Sequence, residues 1–146
     1  MKLLLTGGCG FIGPAVVRHL MRSDDHVVIN ADKLTYAASE DALEDARSHN
    51  RPVLVRADVS NAWRDAPDPR HQLDAVMHLP ADSHVDRSIV GPAAFIQTNV
   101  AGTFTLLEET RQYYATLSPA RRLANRAWWQ AVRARRYAGE RLGTAA

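Results

Sequence analysis

Cysteine, lysine and long apolar runs are all scarce in this sequence of 146 residues. The single cysteine, Cys9, excludes an internal disulfide and is typical of a protein of a reducing compartment. No apolar run approaches the about 20 residues that a membrane-spanning helix needs, and no charged-then-apolar leader with a cleavage site is visible. We therefore expect a cytoplasmic protein without a membrane partner.

Acidic and basic residues are unevenly distributed along the chain. Residues 1–117 carry 11 Lys and Arg against 15 Asp and Glu, whereas residues 118–146 carry seven Arg against one Glu. An Arg-rich tail can indicate nucleic-acid binding. Here Trp128 and Trp129 lie within an amphipathic-looking stretch, so we favour a helix with a solvated basic face and expect no nucleic-acid partner. The chain thus divides into residues 1–117 and an Arg-rich helical tail over residues 118–146.

The first 80 residues alternate short β-rich runs with helical stretches. Near-continuous apolar runs of this kind are typical of strands buried on both faces of a parallel sheet. The runs lie at residues 2–6, 27–31, 53–57 and 75–79. Helices are expected over residues 11–22, 39–49 and, interrupted by two prolines, 61–73. The alternation predicts an α/β fold: a partial Rossmann fold, with a doubly wound parallel sheet of about four strands and right-handed crossovers.

The second half of the chain is predicted to be helical. A long helix should follow Gly91 and Pro92 over residues 93–117, and Gly102 would let its backbone approach a neighbour closely. Residues at a spacing of three to four predict one apolar face on each of the two main helices. They are Ile12, Val16, Val17 and Leu20 in the first, and Ile96, Val100, Phe104 and Leu107 in the second. Residues 118–122 should break the long helix before a last helix over residues 123–137.

A glycine-rich turn stands between the first predicted strand and the first predicted helix. Gly7 would allow the tight turn, Gly10 the approach of a pyrophosphate to the backbone, and Gly13 close packing of the helix on the sheet. The helix N-terminus would offer unpaired N–H groups to the phosphates. Asp32, at the end of the second strand, would accept hydrogen bonds from a ribose and repel a 2′-phosphate. The pattern predicts a dinucleotide site that prefers NAD to NADP.

Four segments together resemble a known family. They are TGGCGFIG (6–13), DKLTYA (32–37), ADV (57–59) and DAVMHLPADSHVDRSIVGPAAFIQTNVAGTFTLLE (74–108). Over residues 1–117 the chain resembles the dTDP-glucose 4,6-dehydratases of the extended short-chain dehydrogenase/reductase superfamily. SHVDRS followed by GPAAFIQTN is more typical of these dehydratases than of the related epimerases. The resemblance implies NAD as cofactor and a nucleotide sugar, dTDP-glucose, as substrate.

The resemblance also implies roles for individual residues. The pyrophosphate loop would comprise Gly7, Gly10, Phe11, Ile12 and Gly13. The adenosine ribose would be held by Asp32, Lys33, Leu34 and Thr35, and the adenine by Asp58 and Val59. Leu79, Ala81 and Ser83 would lie along the nicotinamide ribose, and Thr98 would also touch the cofactor. The sugar nucleotide would contact Ser83, Asp86, Arg87 and Asn99, although Asp86 and Arg87 also suit a helix-end cap and a surface ion pair. His78 and His84 lack partners at metal-ligand spacing, so no metal site is expected.

The residues that perform the family reaction are missing from this sequence. The family needs a Tyr-x-x-x-Lys pair to remove a proton while hydride moves to NAD, and a Thr-Asp-Glu element to eliminate water. Lys2 and Lys33 are the only lysines, neither follows a tyrosine at that spacing, and Thr-Asp-Glu does not occur. Pro80 and Asp82 also replace the expected Ala and Glu. We therefore assign no catalytic residue.

The tail over residues 123–143 resembles the extreme C-terminal helix of the same family. We expect a catalytically incomplete NAD-binding fragment, the first third of the family joined to its last residues near residues 118–122. Two alternatives stay open: a non-enzymatic binding or assembly module, and a fragment of a nucleotide-sugar epimerase. The fourth strand would expose an open apolar edge, which favours homo-oligomers or aggregation.

Overall fold

Four parallel strands form the centre of the computed structural model, which describes residues 1–22, 25–36, 38–39, 43, 53–61, 72–83 and 85–124. The strands are β1 (Lys2–Thr6), β2 (Val27–Asp32), β3 (Val53–Arg56) and β4 (Ala75–His78), in the spatial order β3-β2-β1-β4. Leu4 of β1 pairs with Ile29 of β2 on one side and with Val76 of β4 on the other. The architecture confirms the predicted α/β sheet. β2 and β3 are added on one side of β1 and β4 on the other, so the strand order reverses between β1 and β4. Clefts at such reversals bind ligands in open α/β folds.

The core lies on both faces of this sheet, because successive strand residues point to opposite sides. Helix α1 (Gly13–Met21) covers one face with Val17 and Met21, which pack with Leu5 and Val28. The opposite face buries Leu4, Ile29, Ala31 and Leu73. Helix α1 begins two residues later than predicted, because Phe11 and Ile12 belong to the preceding loop. Ile12 is consequently exposed and not part of the buried face.

The predicted long helix is present but interrupted. Helices α2 (Val85–Val90) and α3 (Pro92–Ile96) lead into a π-helical segment (Gln97–Gly102), which continues as α4 (Thr103–Thr116). π-helical turns inside α-helices are rare and are frequent at functional sites. Here the π-helical segment begins close to the carboxyl end of β4 and supplies one wall of the cleft described below.

The face of the long helix that contacts the sheet is not the predicted one. Ile96, Val100 and Phe104 are 56%, 62% and 68% exposed. The helix instead packs through Gly102 and Leu106, both buried, and through Tyr113, whose hydroxyl donates to the Leu73 carbonyl at 3.2 Å. A Cβ on Gly102 would lie 3.0 Å from Cγ2 of Val59, so the glycine permits the close approach that the sequence predicted. This close approach of Gly102 to Val59 determines which face of the helix is packed against the rest of the chain.

The irregular stretch after α4 is shorter than predicted. Leu117 is extended, and helix α5 (Pro119–Ala124) begins within the stretch that was expected to be irregular. Ser118 caps it, since its hydroxyl accepts a hydrogen bond from the Arg121 amide at 3.4 Å. Most of the helices predicted over residues 39–49, 61–73 and 123–137 falls outside the described residues. Among the described residues, no helix combines the length and apolarity needed to cross a membrane.

Candidate functional site

A cleft of about 360 Å³ opens at the carboxyl ends of the strands. Its walls are the glycine loop (residues 7–13), the segment that follows β2, the segment that follows β3, and the segment over residues 79–83 with Thr98 of the π-helical turn. Parallel strands bring their carboxyl ends to one edge of the sheet, so residues distant in sequence meet there. The lining residues are Gly7, Gly10, Phe11, Ile12, Gly13, Ala31, Asp32, Lys33, Thr35, Tyr36, Ala38, Ala57, Asp58, Val59, Leu79, Pro80, Ala81, Asp82, Ser83 and Thr98.

The three glycines of the motif meet different constraints. Gly7 has a φ of 74°, which favours glycine, and a Cβ there would lie 2.7 Å from the Pro80 nitrogen. A Cβ on Gly13 would lie 2.4 Å from the carbonyl of Gly8, so the helix could not begin where it does. A Cβ on Gly10 would meet only the Gly7 oxygen, at an ordinary 3.5 Å. The fold therefore requires Gly7 and Gly13, whereas Gly10 keeps one side of the loop backbone open to the cleft.

Side chains of β2 hold the first half of the glycine loop. Asp32, 8% exposed, accepts the Cys9 amide on Oδ2 and the Leu34 amide on Oδ1, both at 2.8 Å. Asn30 accepts the Gly8 amide at 3.0 Å. Each carboxylate oxygen of Asp32 retains acceptor capacity, because an ionised carboxylate has about four lone-pair sites. The Asp32 bond also holds Leu34 in its left-handed conformation, with a φ of 56°.

The second half of the loop leaves its backbone donors open. In the described part of the chain, the amides of Phe11, Ile12 and Gly13 have no hydrogen-bond acceptor. Pro14, in the first turn of α1, contributes no donor, and the first turn contains no acidic residue. The N-terminus of a helix carries partial positive charge. This corner of the cleft therefore suits an anionic group such as a phosphate.

An ion pair closes the far end of the cleft. Lys33 Nζ lies 2.5 Å from Asp58 Oδ2, and Asp58 Oδ1 accepts both the amide and the hydroxyl of Ser60, at 2.9 and 2.7 Å. Partial burial alone would raise the pKa of Asp58, but the Lys33 ammonium and the Ser60 donors outweigh it and hold the pKa below its ordinary value. Asp58 is therefore a fixed negative group in this wall.

The remaining wall is held by an amide clamp. Asn99 of the π-helical turn accepts the Asp82 amide at 2.8 Å and donates to the Asp82 carbonyl at 2.7 Å. His78 bridges Thr6 and Thr103 with its two ring nitrogens, at 2.8 and 3.1 Å, and so joins β1, β4 and α4. Oδ1 of Asp82 is buried without a hydrogen-bond partner within the described residues. The two substitutions noted in the sequence, Pro80 and Asp82, thus lie directly beside the cleft.

A cation–π contact joins two segments at the edge of the cleft. The Arg87 guanidinium of α2 lies 3.6 Å from the ring centroid of Tyr36, which follows β2. Tyr36 lines the cleft, whereas Arg87 does not. The stack therefore connects the segment that follows β2 to helix α2, which comes after β4 in the chain.

Most of the residues assigned to the cofactor from sequence line this cleft, Leu34 excepted. The Leu34 side chain instead packs against the core that contains Val17 and Met21 of α1. Of the residues assigned to the sugar nucleotide, only Ser83 lines the cleft; Asp86 is exposed, Arg87 stacks on Tyr36 and Asn99 clamps Asp82. His84 lies outside the described residues. Sequence reasoning missed Tyr36 and Asn30, although a polar residue inside the apolar run of β2 was a usable signal for Asn30.

Comparisons with known proteins give one consistent family. The family described as GDP-mannose 4,6 dehydratase matches residues 4–125. The dTDP-glucose 4,6-dehydratase 1 of Escherichia coli K12 is 53% identical over 118 residues, which cover 80% of this chain and 33% of that protein. The dTDP-glucose 4,6-dehydratase of Haemophilus influenzae is 47% identical over 124 residues, 84% of this chain and 36% of that protein. The chain thus spans about a third of the length of these curated relatives.

Solved structures agree with the sequence matches. DesIV, a dTDP-glucose 4,6-dehydratase from Streptomyces venezuelae solved with NAD and TYD bound, matches with a TM-score of 0.66 and 41% identity, over 74% of this chain and 35% of that one. The UDP-glucose-4-epimerase of Stenotrophomonas maltophila, solved with NAD and formylated UDP-arabinopyranose, matches with a TM-score of 0.69 and 30% identity, over 77% and 34%. Dehydratases and epimerases therefore share this part of the fold.

Proposed function

Because this chain belongs to the GDP-mannose 4,6 dehydratase family, we propose that it binds NAD in the cleft at the carboxyl ends of its strands. One observation carries the proposal: the open amides of Phe11, Ile12 and Gly13 at the N-terminus of α1, beside the buried carboxylate of Asp32. Open amides suit the diphosphate, and a carboxylate at the end of β2 suits the hydroxyls of the adjoining ribose. The relatives solved with NAD support this choice of dinucleotide.

The proposed placement of NAD follows the walls of the cleft. The diphosphate lies against the loop over residues 10–13, and Asp32 with Lys33 and Thr35 holds the adenosine ribose. Asp58 and Val59 flank the adenine. Leu79, Ala81, Ser83 and Thr98 face the nicotinamide ribose. Asp32 repels a 2′-phosphate, so NAD is preferred to NADP.

We propose that residues 1–117 are the NAD-binding part, that residues 118–146 form a basic helical tail, and that the chain works in the cytoplasm. We propose that this chain shares its lineage with enzymes that convert dTDP-glucose to its 4-keto-6-deoxy product. The 146 residues contain neither the Tyr-x-x-x-Lys pair nor the Thr-Asp-Glu element, so we propose that they bind NAD without turning over a sugar. A nucleotide sugar would contact Ser83, Asp86, Arg87 and Asn99.

A titration of the purified chain with NAD and NADP tests the proposal. We expect NAD to bind and NADP to bind at least about tenfold more weakly, which corresponds to about 1.4 kcal/mol. Asp32→Ala should lose NAD binding, because it removes the ribose acceptor and also leaves the amides of Cys9 and Leu34 without an acceptor. Asp32→Asn keeps an acceptor for only one of these two amides, so it should also bind NAD more weakly than the unaltered chain. Failure of the unaltered chain to bind NAD would contradict the proposal.

A turnover assay separates an enzyme from a binding fragment. With dTDP-glucose and NAD, we expect no 4-keto product from the chain alone. Formation of that product would show that a different set of residues performs the chemistry. Conversion of a UDP-sugar to its 4-epimer would instead favour the epimerase alternative.

An assembly role is the second candidate, and the position of β4 favours it. β4 is an outer strand of the described sheet, and Ile89 and Val90 of α2 are exposed nearby in sequence. Unpaired strand edges are templates for pairing with another chain. If this role holds, size-exclusion chromatography should show oligomers that grow with protein concentration. A monomer at high concentration would contradict it.

A further inference from the structure

Asn30 is a polar residue in the centre of the sheet. It lies within β2, is 0% exposed, and is on the same face of the strand as Val28, which packs in the apolar core beneath α1. A buried amide must form hydrogen bonds to offset its lost hydration. The hydrogen-bond partners of Asn30 should therefore explain why a polar residue lies among apolar neighbours.

Its partners are two consecutive residues of the glycine loop. Oδ1 accepts the amide of Gly8 at 3.0 Å, and Nδ2 donates to Sγ of Cys9 at 3.4 Å. A Cβ on Gly8 would lie 2.2 Å from Oδ1 of Asn30, so the two residues fit each other closely. Asp32 accepts the next amide, that of Cys9. Two side chains of β2 thus turn two successive loop amides towards the sheet.

This orientation determines what the rest of the loop presents. With the Gly8 and Cys9 amides held by β2 and the Gly10 amide bonded to the Gly7 carbonyl at 3.3 Å, the next backbone donors are those of residues 11–13. We propose that Asn30 is a positioning residue, which sets the glycine loop so that these donors meet a diphosphate. The proposal rests on the proposed NAD site, but the conformation of the loop can be tested without a ligand.

Asn30→Leu tests the role with the same number and branching of side-chain heavy atoms, although its methyl groups are larger than the amide oxygen and nitrogen. Leucine keeps the core filled but offers no acceptor to Gly8. We expect the Kd for NAD and for ADP to rise about tenfold, since a backbone donor loses its buried partner. Binding of adenosine, which lacks the diphosphate, should not change. The amide of Gly8 should exchange with solvent about tenfold faster, whereas that of Leu4 in β1 should not. Ile29→Val, on the opposite face of β2, is the control and should leave NAD binding unchanged.

Asn30→Asp adds a pH-dependent readout, and unfolding measured at each pH separates it from destabilisation of the fold. A protonated carboxyl has an acceptor oxygen and one hydroxyl donor in place of the amide NH2, whereas a carboxylate has no donor and lies two residues from Asp32. Burial and the charge of Asp32 would raise the pKa of the introduced carboxyl. NAD binding by this variant should approach that of the unaltered chain at pH 5 and weaken several-fold as the pH rises to 8.5. Asn30→Leu should be weak at both values.

The outcomes separate the two proposals. If the unaltered chain binds NAD and Asn30→Leu binds it equally well, Asn30 does not position the loop. If the unaltered chain does not bind NAD, the proposed function fails, and exchange of the Gly8 amide alone decides the role of Asn30. Unchanged Gly8 exchange in Asn30→Leu would then overturn it.

Discussion

The corner between the glycine loop and β2 contrasts with the outer face of the long helix. In the corner, Asn30 and Asp32 are buried and bonded to loop amides. On the helix, Ile96, Val100 and Phe104 are apolar and exposed. The polar side chains of the corner have hydrogen-bond partners within the described residues, whereas the apolar side chains of the helix face remain exposed. The hydrogen bonds of the glycine loop can thus be complete over a short stretch of chain, while the helix face beside it stays exposed.

The largest effect on stability should come from adding a methyl group inside the corner between the glycine loop and β2. In Gly13→Ala the new methyl would meet the Gly8 carbonyl at 2.4 Å, and backbone cannot move aside as a side chain can. We expect a loss of about 3 kcal/mol in the free energy of unfolding, at the upper end of overpacking effects, and no measurable NAD binding. Denaturant unfolding and calorimetry measure both quantities.

Gly10→Ala is the matched control for the filled corner. Its methyl would make only an ordinary contact with the Gly7 oxygen, so stability should change by less than about 0.5 kcal/mol. NAD affinity should nevertheless fall, because the methyl would occupy the approach of the diphosphate. Equal stability of the two variants would contradict the geometry of the loop.

The next effect compares the buried and exposed faces of the long helix. Leu106→Ala should cost about 2–3 kcal/mol, because Leu106 is buried. Phe104→Ala, two residues away, should change stability by less than about 0.5 kcal/mol. Thermal or denaturant unfolding of both variants measures the difference. A large loss in Phe104→Ala would mean that this face is covered in solution.

The sequence predicted the strands better than the helix faces, for a physical reason. Each observed strand begins where its apolar run begins and ends within one residue of the predicted end. Each run is nearly continuous in apolar residues and so gives a clear signal, although only β1 and β2 are buried on both faces, whereas β3 and β4 are partly exposed. The long helix carries two possible apolar faces, and the choice depends on how closely Gly102 lets it approach Val59. A π-helical turn also changes the residue spacing on which periodicity depends.

The candidate site shows the same division. The glycine spacing followed by an acid about 20 residues further on is a known motif. It therefore predicts the glycine loop and Asp32, although the two lie far apart in sequence. The pair of Asn30 and Gly8 spans 22 residues, and the stack of Arg87 on Tyr36 joins helix α2 to the segment that follows β2. Such contacts follow from the fold: the polar residue in the apolar run of β2 marks Asn30, but no local pattern reveals its partner or the stack.

A smaller effect concerns the ion pair at the far end of the cleft. The pKa of Asp58 is lowered in the folded chain, so the pair stabilises the fold above the unfolded pKa of about 3.9 and loses this contribution as pH falls through the lower folded value. Lys33 is more than half exposed, so we expect less than about 1 kcal/mol. The stability difference between the unaltered chain and Asp58→Asn should shrink from pH 6 to pH 2. A stability difference that grows on acidification would mean that the pKa of Asp58 is raised, not lowered, in the folded chain.

The smallest effect should come from the stack between Arg87 and Tyr36. Exposed cation–π pairs contribute about 0.5–1 kcal/mol, so Tyr36→Leu should raise the rate of NAD release by about two- to fivefold, because it removes one link across the edge of the cleft. Tyr36→Phe keeps the ring and is the control. Stopped-flow measurement of release gives the rate. If Tyr36→Phe and Tyr36→Leu both release NAD faster than the unaltered chain, and at equal rates, the hydroxyl matters and the ring contact does not. A slower release in Tyr36→Leu would mean that the stack hinders the bound state and that the two sides of the cleft close more tightly without it.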